Sequence, residues 1–278
     1  MNWIRAVERL RTDRRPGVLV TLASVRGHAP REAGAKMVVA ENGAWDTIGG
    51  GNLEATAVAR ARELIADGRR APVTLTLTLS DKAPSEHGQQ CCGGEVSLLL
   101  EPLLIVPSVA IFGLGHVGME LARILARRDL ELHLVDSRAD LLEPERLRPL
   151  DDALARIHVH HAPVPELVLG QIPTGTHVLV MTHDHGEDAA LCDVALRCGH
   201  LGSIGLIGSA SKWRRFQTIL AREGHAPEAI ARIASPIGLP HLRGKDPSTV
   251  AIGVAAALLQ SLEIEAVGSR SAAREGGR

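Results

Sequence analysis

The stretch from Val109 to Arg138, VAIFGLGHVGMELARILARRDLELHLVDSR, constrains the fold of this chain more than any other. Val109–Phe112 is an apolar run of the kind that a strand buried on both faces requires. Gly113, Gly115 and Gly118 follow as G-x-G-x-x-G, and Val117, Leu121, Ile124 and Leu125 then recur at helical spacing. Leu132–Val135 reads as a second strand with Asp136 at its end. A glycine motif alone says little. Here it follows a strand, opens a helix and is answered by an acid 18 residues beyond its last glycine, which is the context of a Rossmann-type unit. In such a unit the first glycine permits the tight turn, the second lets a ligand approach the backbone, and the third lets helix and strand pack closely. The helix N-terminus then offers N–H groups to a phosphate. The plainer alternative is a βαβ unit that keeps its glycines for packing alone.

At 278 residues the chain has room for a second domain. A hydrophobic content of 45% and a charged content of 23% are those of an ordinary globular protein. The net charge of −1 and the 2% of aromatic residues argue against nucleic-acid partners, which call for a basic face or stacking platforms. Tyrosine is absent, so mechanisms that need a phenol are excluded. The opening MNWIRAVERLRTDRR is too charged for a signal peptide, and the longest apolar run, Val250–Leu259, is of helix-core length. Four cysteines do not make a disulfide framework in a chain of this size. The expectation is a cytoplasmic protein with reduced thiols and no membrane partner.

Taken in order, Trp3–Leu10 is a short amphipathic helix. Strands follow at Gly17–Val25, Lys36–Ala40 and Trp45–Ile48, with the loop RGHAPREAG (Arg26–Gly34) between the first two. Gly49-Gly50-Gly51 precedes a helix opened by Asn52 and ended by Gly68. VTLTLTL (Val73–Leu79) alternates as a half-buried strand, and Glu95–Glu101 is another. Pro102–Pro107 reads as a linker. Beyond Asp136, strands are expected at Ile157–His161, Val178–Met181 and Ser203–Ile207. Helices are expected at Asp188–Arg197, around Trp213–Leu220, at Ala226–Arg232 and at Pro247–Ile264. The predicted class is α/β. An N-terminal α+β domain (1–103) precedes a Rossmann-like domain with a doubly wound parallel sheet (107–264), and 265–278 is a disordered tail.

Three glycine-rich turns stand before helices: Gly49–Gly51, Gly113–Gly118 and Gly208-Ser209. Each can hold an anion on backbone N–H groups, or simply allow a tight turn. GSASK (208–212) lacks the Gly-Lys-Ser/Thr order of a P-loop, so a nucleotide triphosphatase is excluded. Cys91-Cys92 lies in a glycine-rich loop. Adjacent cysteines are too close for a relaxed disulfide, and a thiolate there would suit a soft metal or sulfur transfer, with burial as the plain alternative. His183-Asp184-His185 follows a strand end, where α/β folds place ligands, and reads as a polar crevice before it reads as a metal site. His158, His160 and His161 are expected on the surface of an edge strand. Arg26, His28, Arg31 and Lys36 form a basic cluster suited to an anion, or a solvated loop face. No residue is assigned a catalytic role.

These residues together resemble the XdhC/CoxI family, the accessory proteins of xanthine dehydrogenase and related molybdenum hydroxylases. Eight ordered blocks carry the likeness: RGHAPREAGAKMVV, IGGGNLE, QCCGGEV, IFGLGHVG, VDSR, MTHDHGED, GLIGSASKW and SPIGLP. The resemblance implies a chaperone of the molybdenum cofactor in its molybdopterin form. Such a protein favours sulfuration of the cofactor by a cysteine desulfurase, hands it to apo-xanthine dehydrogenase or a related enzyme, and often forms a homodimer. It places Cys91 or Cys92 at the molybdenum, with Arg26, His28, Gly49, Gly50, Gly51 and Asn52 nearby. Gly113, Gly115, His116, Gly118, Asp136, His183, His185, Gly208 and Ser209 are the cofactor-binding candidates of the second domain. One departure is Pro-Ser-Thr-Val-Ala from Pro247, where the family has Pro-x-Glu-Ile-Ala. The main rival is an NAD(P)-dependent oxidoreductase, with Asp136 on a ribose hydroxyl or Arg138 on a 2′-phosphate. A nucleotide-sensing regulatory module is a third reading.

Overall fold

The computed structural model describes residues 1–79 and 94–275, with side chains as far as Glu263. Two compact units are built on Met1–Ile105 and Val106–Ile264. No helix among the described residues is long and apolar enough to cross a membrane.

The first unit contains α1 (Trp3–Thr12), β1 (Gly17–Arg26), β2 (Lys36–Ala40), β3 (Gly43–Asp46), α2 (Gly51–Ala66), β4 (Val73–Leu79) and β5 (Gly94–Leu103). Its sheet is antiparallel, in the order β3-β2-β1-β5-β4. The two-residue period of β2 sends Met37 and Val39 towards Leu53, Ala57 and Leu64 of α2. Val38 and Ala40 point the other way, onto Ala6 and Leu10 of α1. Asn2 starts α1 by accepting the Arg5 N–H on its side chain at 3.0 Å. The third strand runs Gly43–Asp46 rather than Trp45–Ile48. Glu41-Asn42 make a two-residue turn, so pairing begins at Gly43, and Asp46 ends it in the left-handed region at φ +65°. Ile48 is instead buried against α2.

The second unit contains β6 (Ser108–Phe112), α3 (His116–Leu125), β7 (Glu131–Asp136), α4 (Pro144–Leu147), β8 (Arg156–His161), β9 (His177–Val180), α5 (His185–Arg197), β10 (Ile204–Leu206), α6 (Ala210–Arg222), α7 (Pro227–Ile230), β11 (Ile233–Ala234) and, as far as Ile264, α8 (Pro247–Glu275). The sheet is parallel, in the order β11-β10-β9-β6-β7-β8. Every residue of β6 is buried. Val109 and Ile111 face Leu121 of α3 and Val254 of α8, while Ala110 and Phe112 face Leu191 of α5 and Phe216 of α6. This is the expected doubly wound arrangement, and its strand order reverses between β6 and β9.

Two further expectations need correction, and one strand is unexpected: the two-residue β11 carries too little pattern to be read in advance. Helix α5 begins at His185, three residues early, because Asp184 caps it. The expected tail is helical as far as Glu275, where alanine, arginine and glutamate outweigh Gly268. At the start of α8, Asp246 accepts the Thr249 N–H at 2.9 Å, so the cap does not need the family's glutamate.

Strand β8 is the edge strand expected, yet only His161 of its histidines stands exposed. The register sets Glu131, His133 and Val135 of β7 beside Arg156, His158 and His160. His158 Nε2 meets the buried Glu131 carboxylate at 2.5 Å. The His133 ring stacks on both neighbours, with centroids 4.6 Å from His158 and 5.3 Å from His160, and its Nδ1 is 3.1 Å from His160 Nε2. Parallel rings do not aim their nitrogens at one centre, and no group among the described residues fits a metal ion. Burial first, and the neighbouring His158 second, hold His160 below the usual imidazole range. The unfolded chain therefore takes up this proton more readily than the folded one. The stabilisation is present above pH of about 6.5 and is lost as pH falls below it. Denaturant midpoints measured at high and low pH should show the native protein losing more stability on acidification than His160→Gln. Equal losses would contradict the assignment.

Candidate functional site

At the carboxyl ends of β6 and β9 lies a crevice of about 470 Å³, lined among others by Gly115, His116, Arg138, Arg146, Thr182 and His183. The three glycines of the motif have separable reasons to be there. Gly113 adopts φ +104°, and a Cβ on it would lie 2.5 Å from the Met181 carbonyl oxygen. A Cβ on Gly118 would overlap the Gly113 carbonyl oxygen, so this glycine lets α3 pack on the strand. A Cβ on Gly115 would meet no atom within 4 Å. Its φ of −64° suits any residue. The protein's own packing thus explains two glycines, and the second leaves space open in the crevice. Gly115 is also the N-cap of α3, and no side chain caps that end.

Asp136, at the end of β7, is 2% exposed. Its Oδ2 accepts the Leu114 N–H at 2.7 Å, and its Oδ1 accepts the Arg138 main-chain N–H at 3.0 Å. The Arg138 guanidinium straddles the carboxylate, with Nε 3.0 Å from Oδ1 and Nη2 3.1 Å from Oδ2. Burial alone would raise this carboxyl group, but the Arg138 and Leu114 hydrogen bonds outweigh it and hold Asp136 below the usual carboxylate range. The expected partner of a ribose hydroxyl is already engaged.

The other two glycine turns are filled by the chain itself. Gly49, Gly50 and Gly51 all have positive φ. The Gly49 N–H donates to Thr47 Oγ1 at 3.0 Å, the Gly50 N–H donates to Glu54 Oε2 at 3.2 Å, and Thr47 Oγ1 donates to the same carboxylate at 2.5 Å. The anion held there is Glu54, with Asn52 half-buried beside it. At Gly208, φ +154°, the Lys212 side chain crosses the turn and Ser209 Oγ caps α6 by accepting the Lys212 N–H at 3.2 Å. Asp184 likewise caps α5, accepting from Gly186 and Glu187 at 2.7 and 2.9 Å, and these bonds hold its carboxyl group below the usual range. His183 lines the crevice, whereas His185 sits edge-on to Phe216 at 6.4 Å between centroids.

Lys212 reaches further. Its Nζ donates to the Ile207 carbonyl at 3.0 Å and to Asp188 Oδ2 at 2.5 Å, while Asp188 Oδ1 accepts from the Thr182 N–H and Oγ1 at 3.1 and 2.8 Å. Asp188 is fully buried and Lys212 nearly so. This pair ties together the two loops that wall the crevice. Beside it, burial and then the Asp188 charge push the Cys192 thiol up to about 12, which marks an inert packing residue. The sequence does not mark Asp188 and Lys212 as a pair, although they lie in the blocks MTHDHGED and GLIGSASKW. Nor does it single out Arg146, Thr182 or the Thr47–Glu54 clasp.

In the first unit, three of the quoted blocks meet at one end of the sheet. A Cβ on Gly94 would overlap the His28 carbonyl oxygen and lie 2.8 Å from that of Arg26. A Cβ on Gly49 would overlap Pro30 Cγ. Arg26 is 3.3 Å from Glu95 in an exposed ion pair, and His28 is exposed. Lys36 donates to Thr21 Oγ1 at 3.0 Å and lies 5.7 Å over the Trp3 ring, so it does not join the loop. Cys91 and Cys92 lie outside the described residues.

Removing one partner of a buried ion pair strands the other charge. Lys212→Met should lower unfolding stability by about 3–5 kcal/mol, and adding Asp188→Asn should recover most of that loss in the same denaturation experiment. Unchanged stability of the single variant would show that the pair is not closed from water.

Residues 109–258, more than half of the chain, match the family described as XdhC Rossmann domain, and residues 10–78 match the XdhC and CoxI family. The chain is 26% identical over 260 residues to the uncharacterized protein YqeB of Escherichia coli strain K12, covering 94% of this chain and 46% of YqeB. It is 36% identical over 99 residues to the molybdenum cofactor insertion chaperone PaoD of the same strain, covering 35% of this chain and 30% of PaoD. The chain therefore spans less than half the length of these two relatives. A crystal structure described as a xanthine dehydrogenase from Bacillus halodurans aligns with a TM-score of 0.48 at 21% identity, over 95% of this chain and 96% of that one. By the match that spans its whole parallel-sheet core, this chain belongs to the XdhC family.

Proposed function

We propose that this protein is a molybdenum cofactor chaperone. It takes the molybdopterin form as cargo, supports its sulfuration by a cysteine desulfurase, and delivers it to apo-xanthine dehydrogenase or a related molybdenum hydroxylase. It works in the cytoplasm, as a homodimer. The observation that carries this reading is the 36% identity to the insertion chaperone PaoD, on top of membership of the family.

The crevice of the second unit supports it physically. Molybdopterin carries an anionic phosphate and a polar pterin. Gly115 leaves an open approach to the backbone, the uncapped end of α3 supplies N–H donors, and Arg146, His116 and His183 line the same space. Taken by itself, the first unit sets the loop that carries Arg26 and His28 against the turn at Gly49, beside the strand that follows Cys91 and Cys92. In this reading one of those thiolates attends the molybdenum, whose bound sulfur is what the recipient enzyme needs.

The test is equilibrium binding of molybdopterin cofactor to the purified chain under anaerobic, reducing conditions. Native protein should bind it at micromolar affinity or tighter, about −8 kcal/mol. Gly115→Ala should keep its fold to within about 1 kcal/mol, because the new methyl group meets no protein atom, yet bind at least about tenfold more weakly. Absence of binding by the native chain would remove the proposal.

A further inference from the structure

A Rossmann-type unit implies a nicotinamide dinucleotide, and the residues at the end of β7 decide whether one fits. A dinucleotide stretches from the glycine turn across the end of the second strand, where a free carboxylate accepts the adenosine ribose hydroxyls or an arginine meets a 2′-phosphate. Here the carboxylate is Asp136, buried, with both oxygens taken by Leu114 and Arg138. The arginine is no free anion receptor either. Arg138 is bound to Asp136 and is further held by the nearby charges of Asp140 and Glu187. Glu187 is itself fixed by Ser137 Oγ at 2.8 Å. One guanidinium among three carboxylates does not attract a phosphate dianion. A ribose, in turn, finds no acceptor unless the guanidinium leaves.

We propose that Arg138 is a specificity-determining residue of the crevice. By clamping Asp136 it closes the ribose position over β7 and excludes nicotinamide dinucleotides, reserving the crevice for ligands that do not cross that strand. The clamp has a second consequence. The Leu114 N–H donates to Asp136 Oδ2 directly, so the tie between the glycine turn and β7 does not run through the arginine. Taking the arginine away should therefore open a dinucleotide site, at the stability cost of leaving a buried carboxylate with fewer partners. The inference stands apart from the chaperone reading, since it concerns what the crevice refuses.

The experiment is calorimetric titration of the full chain with NAD+ and with NADP+, using native protein, Arg138→Gln and Arg138→Lys. Lysine keeps the charge but cannot straddle the carboxylate, and it covers the case in which the glutamine variant folds poorly. The expected result is a gain in NAD+ affinity of at least about tenfold in Arg138→Gln and a smaller gain in Arg138→Lys. NADP+ should gain little, because its extra phosphate would face Asp136, Asp140 and Glu187. The proposal is overturned by gains below about threefold in both variants, or by weaker binding of either dinucleotide once the arginine is changed. Weaker NADP+ binding in particular would make Arg138 a receptor for the 2′-phosphate.

Discussion

The carboxylate of Asp136 sits where the parallel sheet hands over to its first glycine turn. Through Leu114 it fixes the turn to β7, and through Arg138 it fixes the segment that follows β7. A buried charge is costly unless it is paired and hydrogen-bonded, and this one has a partner on every side that the structure offers. The crevice takes its shape from that arrangement. With Leu114 held, Gly113 passes against Met181, Gly118 receives the Gly113 carbonyl, and the main chain at Gly115 faces open space.

Helix N-termini leave backbone donors without helical partners, and this chain answers that need in two ways. Helices α2, α5 and α6 are closed by their own neighbours Glu54, Asp184 and Ser209. At α3 no side chain does so. The loops across the crevice are stiffened by the buried Asp188–Lys212 pair and the Thr182 hydrogen bonds, so the lining does not depend on the ligand for its order. Such a preorganised, partly cationic pocket would spend little ordering energy on binding an anionic ligand.

Much of this was legible in the sequence. Hydrophobic periodicity placed β6, α3 and β7, since a strand buried on both faces and a helix with one apolar side leave unmistakable patterns. The strict alternation of VTLTLTL likewise marked β4, with threonines outward. Occupancy of the glycine turns was hidden. Glu54 stands only a few residues beyond Gly49–Gly51, yet nothing in the spacing says that its carboxylate folds back onto them. Asp136 was legible as an acid at a strand end, but its capture by Arg138 depends on rotamers. The pairing of Asp188 with Lys212 is long-range, set by adjacency of β9 and β10. His158 and His160 read as surface residues because an edge strand has one open side, and the buried His133 that they face belongs to a different strand.

In the proposed chaperone the α3 end, and not the other glycine turns, would receive the anionic cargo. Backbone amide chemical shifts recorded while molybdopterin cofactor is added to isotope-labelled protein test it most directly. Perturbations should centre on Gly115, His116 and His183, with Gly50 and Gly208 unmoved. Perturbations centred on Gly49–Gly51, with Gly115 and His116 silent, would contradict it.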